Sequence, residues 1–166
     1  MKITSSLQIA LVAVAGVQIS YFWGLMPPMM ASHFGAGGQP NGWMNKESFV
    51  AIYVMVLALL NVIPLIGAII IKKVPRSMIN LPNKEYWLAP ERIDRTAGMF
   101  MSYMEVFSAG ITAFMVFVFQ LAFRANIEKT AMDSMVMFIA IGALVAFSIA
   151  WSIMMILAFR VPKARA

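Results

Sequence analysis

Cysteine is absent from the 166 residues, which excludes a disulfide framework, a thiolate metal site and a cysteine nucleophile. Charge is scarce: Asp, Glu, Lys and Arg together make up 12% of the chain, where a soluble domain carries about a quarter. Histidine occurs once, as His33 in a loop, so neither a histidine metal cluster nor an intramembrane histidine ligand for haem is expected. There are no paired carboxylates at useful spacing and no serine with a base beside it, and the chain is read as not an enzyme. No glycine spacing suits a phosphate cradle. No cofactor and no metal is expected.

Apolar residues fill the space these absences leave. They make up 61% of the chain and gather into four runs, at about 7–26, 49–71, 98–123 and 135–159. Each holds about 20 residues or more, enough at 1.5 Å per residue to cross a hydrocarbon core of about 30 Å. The alternating pattern of barrel strands is missing, leaving helices as the spanning solution. The expected fold is therefore all-α, a polytopic four-transmembrane-helix bundle forming one domain over 1–166. The first run is too long for an ordinary signal h-region and is read as a retained span.

Basic residues set the expected orientation. Lys2, the middle loop (Lys72, Lys73, Arg76, Lys84, Arg92, Arg95) and the tail (Arg160, Lys163, Arg165) outweigh Lys46, Arg124 and Lys129 in the other two loops. Cationic flanks stay cytoplasmic, which makes both termini cytoplasmic, N-in and C-in, with an outer loop at 27–48, an inner loop at 72–97 and a second outer loop at 124–134. The net charge of +6 is then a topology signal, and nucleic acid is not an expected partner. The lipid bilayer is. Tyr21 and Trp23 fall near the outer interface, Tyr86 and Trp87 near the inner one.

The first outer loop packs Gly35, Gly37, Gly38 and Gly42 close together, and Pro40, Asn41 and Gly42 have turn chemistry. His33 and Phe34 open it and Trp43 closes it. Two readings stand: a tight connector, or a ligand or partner surface made of His33, Phe34, Gly35, Gly38, Asn41, Gly42 and Trp43. Met26, Met29 and Met30 beside His33 are read as apolar filler rather than a soft Cu(I) site, because sixteen methionines are spread along the chain. In the inner loop, Pro90 and Glu91 suit the first turn of the third helix. Lys84, Arg92 and Arg95 there face anionic headgroups or a cytoplasmic partner.

Two segments, SHFGAGGQPNGWMNKESF and INLPNKEYWLAPER, the second containing Asn83, Lys84, Tyr86, Trp87, Pro90, Glu91 and Arg92, carry a resemblance. Together with VFQLAFRANIE, which ends at Glu128, they resemble a bacterial membrane-protein family catalogued as a domain of unknown function. That family is related to the N-terminal part of the immunity and signal-receptor protein of the sporulation-delaying toxin system. The resemblance implies an inner-membrane bundle with an HFG-type loop between the first two spans. It implies no reaction.

Within the spans, Glu105 is the one carboxylate deep in an apolar run, and such a group needs a partner or a neutral state. Gly98, Ser102, Glu105, Ala109, Thr112 and Gln120 form a small and polar stripe on one helix face. Asn61, at similar depth on the second span, is expected to reach Glu105, with Ser152 near that level and Pro64 one turn beyond Asn61. Gly16, Ser20 and Gly24, and Gly142, Ala146 and Ala150, form small ridges for helix packing or for homo-oligomer contacts. The expected function is a non-enzymatic envelope protein of the bacterial cytoplasmic membrane. It senses or binds something at the outer loop, or serves as an accessory subunit beside a membrane-protein partner. The alternative is a small transporter-like or proton-handling bundle using Glu105.

Overall fold

A computed structural model describes the backbone of residues 3–161 and the side chains of residues 5–161. Lys2, Lys163 and Arg165, which contribute to the charge count above, lie outside the described residues. Four long helices run through it: α1 (Ile3–Phe22), α2 (Lys46–Lys73), α4 (Ile93–Glu128) and α5 (Ser134–Ala158), with a short α3 (Lys84–Trp87) in the middle loop. All four are long and apolar enough to span a membrane, so the chain is a multi-pass integral membrane protein with the expected all-α bundle. A two-stranded antiparallel sheet, β1 (Met29–Phe34) and β2 (Pro40–Asn45), joins α1 to α2.

α4 is the central helix, packing along α2 and α1 and more lightly on α5. The reason lies in its small stripe: Ala109 and Thr112 are buried, letting neighbouring backbones approach. At 36 residues α4 is about 54 Å long, so it overruns the apolar slab at both ends. α5 has no buried residue and shows most of its apolar surface outward, as a lipid-facing helix does. Gly142 on α5 and Gly16 on α1 have no atoms near the position a Cβ would take, so neither small ridge mediates packing within this chain.

Several polar groups inside the bundle are paired across helices. Tyr53 on α2 donates to Gln18 Oε1 at 2.8 Å, and Gln18 Nε2 donates to Gln120 Oε1 at 2.7 Å and to the Val116 carbonyl at 3.1 Å. One buried amide of α1 thus ties together α2 and α4. In a medium without water such groups must find protein partners. Pro64 lacks the N–H that would bond the Leu60 carbonyl, and the Ser108 hydroxyl of α4 donates to that carbonyl instead. The helix break and its compensation are therefore on adjacent elements.

The middle loop is folded onto the end of α5. Trp87 Nε1 and Asn83 Nδ2 both donate to the Phe159 carbonyl, at 2.7 and 2.9 Å, satisfying an acceptor at the helix C-terminus. Trp87 and Phe159 also meet edge to face, and both are buried. Trp87 is thus a core residue and not an interfacial anchor. Thr96 Oγ1 bonds the Trp87 carbonyl at 2.7 Å, and the Arg92 guanidinium lies 4.1 Å from the Tyr86 ring centre. Lys72 pairs with Asp94 at 2.6 Å where α2 leaves and α4 enters. Pro90 and Glu91 sit in the turn before Ile93 rather than in the first turn of α4.

Candidate functional site

The segment between α1 and α2 is a hairpin built on alternation. Met30 and Met44 pair across the strands; Met30 is fully buried against Phe49, Tyr53 and Phe123 beneath it. On the opposite face Met29 and Trp43 are more than half exposed, at 56% and 58%. The pairing of Ala31 with Trp43, His33 with Gly42 and Phe34 with Pro40 contains two register shifts, so the strands bend toward the tip. The turn itself lies at Gly35–Gln39, closed by Gly35 N to Gln39 O at 2.9 Å and Gly38 N to Gly35 O at 2.8 Å. Pro40, Asn41 and Gly42, whose chemistry suggested the turn, belong instead to β2.

Three attachments fix this hairpin. Asn126 of α4 receives the Ala31 amide on Oδ1 at 2.5 Å and donates Nδ2 to the Ala31 carbonyl at 3.0 Å, so its carboxamide acts as a neighbouring strand would. The same Nδ2 contacts the Ala122 carbonyl at 2.9 Å, which orients the side chain. At the tip, Met132 N donates to the Gly38 carbonyl at 2.9 Å. Gly38 has φ +77°, and a Cβ there would fall 1.9 Å from the Met132 carbonyl oxygen. Only glycine fits both demands. At the base, Asn45 caps α2 by accepting the Ser48 amide at 2.7 Å, and Lys46 stacks its ammonium 4.6 Å from the Trp23 ring centre.

The attachments also settle which ends of the bundle face each other. The hairpin meets the α4–α5 connection, while the middle loop meets the end of α5, so the first and third loops share one side.

Of the residues singled out from sequence, His33, Asn41 and Trp43 remain exposed on the hairpin, beside Met29 and the tip, with Phe34 half-buried. His33 Nδ1 is hydrogen-bonded to Asn41 Oδ1 across the strands. Two cavities flank the sheet. One, of about 300 Å³, runs from Ser32, His33 and Phe34 down to Val118, Met137 and Ile141 on α4 and α5. The other, of about 290 Å³, lies between Trp43 and the Asn126–Lys129 end of α4. The seven outer-loop residues singled out from sequence thus share one hairpin, and no group of His, Cys, Asp and Glu able to hold a metal occurs among the described residues.

The inner candidates divide. Asn61 and Glu105 line one cavity of about 190 Å³, together with Gln8 and Ser108. Ser152 does not join them; it is exposed on the outer side of α5. Asn61 does not donate to Glu105, because its Nδ2 turns back to the Leu57 carbonyl at 2.8 Å. The inner-loop motif residues Asn83, Trp87 and Arg92 serve the clamp on α5 described above.

Sequence reading missed Asn126, Gln18 and Tyr53. Asn126 lies beyond the apolar run that ends at 123, so it looked like loop. Gln18 did carry a signal: it is an amide inside a run with no charge, which must find a partner.

Comparison with known proteins gives one match. The family model described as a domain of unknown function (DUF1648) covers residues 9–58, under a third of the chain. That stretch takes in most of α1, the whole hairpin and the first half of α2, and leaves the middle loop outside. No curated protein and no solved structure matches.

Proposed function

We propose that this chain is a non-enzymatic protein of the bacterial cytoplasmic membrane, with both termini cytoplasmic and the hairpin as an extracytoplasmic recognition surface. The partner is another membrane protein or a peptide ligand, in the manner of a sensor or an accessory subunit. One observation supports this most directly. The hairpin is locked from beneath and from both sides by Met30, Asn126 and Met132, yet its upper face leaves His33, Asn41 and Trp43 uncovered. A connector of this length does not need such restraint, whereas a recognition surface gains affinity from being ordered before binding. An exposed tryptophan at the edge of a cavity has the character of an interface anchor. The resemblance to a membrane-protein family of unknown function, one relative of which is an immunity and signal-receptor protein, is in keeping with the same direction. The orientation is supported by charge: Lys72, Lys73, Arg76, Lys84, Arg92, Arg95 and Arg160 lie toward the end of the bundle away from the hairpin, and cationic flanks tend to stay cytoplasmic.

The test is partner capture from mild detergent. Trp43→Ala and His33→Ala variants are expected to insert normally and to recover at least about tenfold less partner than wild type, the loss of one interface anchor. Unchanged recovery of every partner would reduce the hairpin to a connector.

A further inference from the structure

A groove of about 510 Å³ runs between α1 and α4 and is lined by residues of those two helices. They run in the same direction, since Gln8 meets Thr112 while Gln18 meets Val116 and Gln120, so both reach the hairpin end together. The deeper wall is apolar, with Val14 and Val17 from α1 and Ala113 and Phe117 from α4. Tyr21 and Arg124 stand at the hairpin end. Among the described residues no carboxylate lines the groove.

The amide network that ends here has a direction. The Val116 carbonyl can only accept, so it fixes which end of the Gln18 amide is nitrogen. That same nitrogen faces Gln120, which must answer with its oxygen. Gln120 Nε2 is what remains, and it makes no hydrogen bond among the described residues. Unlike Gln8 Oε1, it is not sealed inside the protein. Arg124 follows one helical turn nearer the hairpin, about 6 Å along the axis. It is exposed and has neither an ion pair nor a hydrogen bond among the described residues. From the hairpin end inward, the groove thus offers a cation, then an N–H donor, then an apolar wall. At membrane depth such a donor needs an acceptor that water does not supply.

A glycerophospholipid carries the complementary groups in the same order: phosphate, ester carbonyl, acyl chain. We propose that the groove binds one anionic glycerophospholipid from the leaflet on the hairpin side. Its phosphate pairs with Arg124, an ester carbonyl accepts from Gln120 Nε2, and one acyl chain lies along Val14, Val17, Ala113 and Phe117. The guanidinium fork suits a phosphate. A headgroup of net negative charge balances Arg124, whereas a zwitterionic one brings its own cation. An apolar helix of another chain would cover the wall but leave Arg124 without an anion. No hairpin residue lines the groove, so failure of partner capture leaves this site standing.

Native mass spectrometry of the delipidated protein in detergent tests it, with phosphatidylglycerol and phosphatidylcholine of identical acyl chains as the probes. Wild type is expected to retain one phosphatidylglycerol at least about tenfold more tightly than phosphatidylcholine. Arg124 and Ala113 are both exposed, so substitution there leaves the fold in place. Arg124→Gln is expected to erase the preference. Ala113→Phe, which fills the groove and leaves its charge unchanged, is expected to weaken both lipids by about tenfold. Lys46→Gln removes a cation at the same end of the bundle but outside the groove, and should bind as wild type does. A wild type without preference, a preference that survives Arg124→Gln, or unchanged binding by Ala113→Phe overturns the proposal. So does a lipid-free dimer that Ala113→Phe dissociates, because a second copy of the chain would then occupy the groove.

Discussion

Replacing Asn126 with leucine is expected to lower the stability of the detergent-solubilised protein by about 3 kcal/mol, because two backbone groups of a buried residue lose their partners together. Ala31 is 5% exposed, and both its amide and its carbonyl are served by this one side chain. Leucine matches asparagine closely in shape, so the loss reads hydrogen bonding rather than a cavity. For a chain of this size that corresponds to a fall in Tm of about 5–12 °C. Asn126→Asp separates the two bonds. It still accepts from the Ala31 amide but, as a carboxylate, cannot donate to the carbonyl, and it should fall between wild type and leucine. Hydrogen exchange supplies the local readout: protection at the Ala31 amide should drop in the leucine variant. Undiminished protection there would mean that α4 does not hold the strand.

The second large effect is expected for Gly38→Ala. The added methyl would sit 1.9 Å from the Met132 carbonyl oxygen, and the φ of +77° is itself unfavourable for alanine, by about 1–2 kcal/mol. Backbone on both sides of the contact prevents easy relief, so the hairpin tip should lift from the α4–α5 connection and break the Met132 to Gly38 hydrogen bond. Gly37→Ala is the matched control. It has open space around it and no positive φ, and should change stability by no more than about 0.5 kcal/mol. In the capture experiment Gly38→Ala should lose partner with Trp43 intact, which distinguishes presentation of the surface from contact with it. Equal behaviour of the two glycine variants would remove the docking of the tip from the account.

The four spans were legible because length and apolarity act residue by residue along a helix and need no knowledge of partners. Their ends were less so. The first run continues to Met26, yet α1 stops at Phe22 because the chain must turn there to enter the hairpin. The hairpin itself was read as a shaped loop. Its strands contain Gly42, Pro40 and two asparagines, residues that weigh against a strand by propensity. What stabilises them is the carboxamide of Asn126, almost a hundred residues away, and no local pattern announces that pairing. Within the candidate site the exposed members His33, Asn41 and Trp43 were visible from sequence, since loop aromatics among glycines stand out. The residues that hold them in place were not. The inner level shows the same limit: Asn61 and Glu105 line one cavity without the hydrogen bond expected between them, because depth along each helix fixes only height. Rotation about the helix axis turned Ser152 away and brought Gln8 in.

The absence of cysteine makes the central claim directly testable, because any introduced thiol is the only one in the chain. Gly37 at the hairpin tip and Glu85 in the middle loop are both exposed. With a membrane-impermeant maleimide, Gly37→Cys should label in intact cells, whereas Glu85→Cys should label only once the membrane is opened. Labelling of Glu85→Cys in intact cells, with Gly37→Cys protected, would contradict an outward-facing hairpin on a four-span bundle.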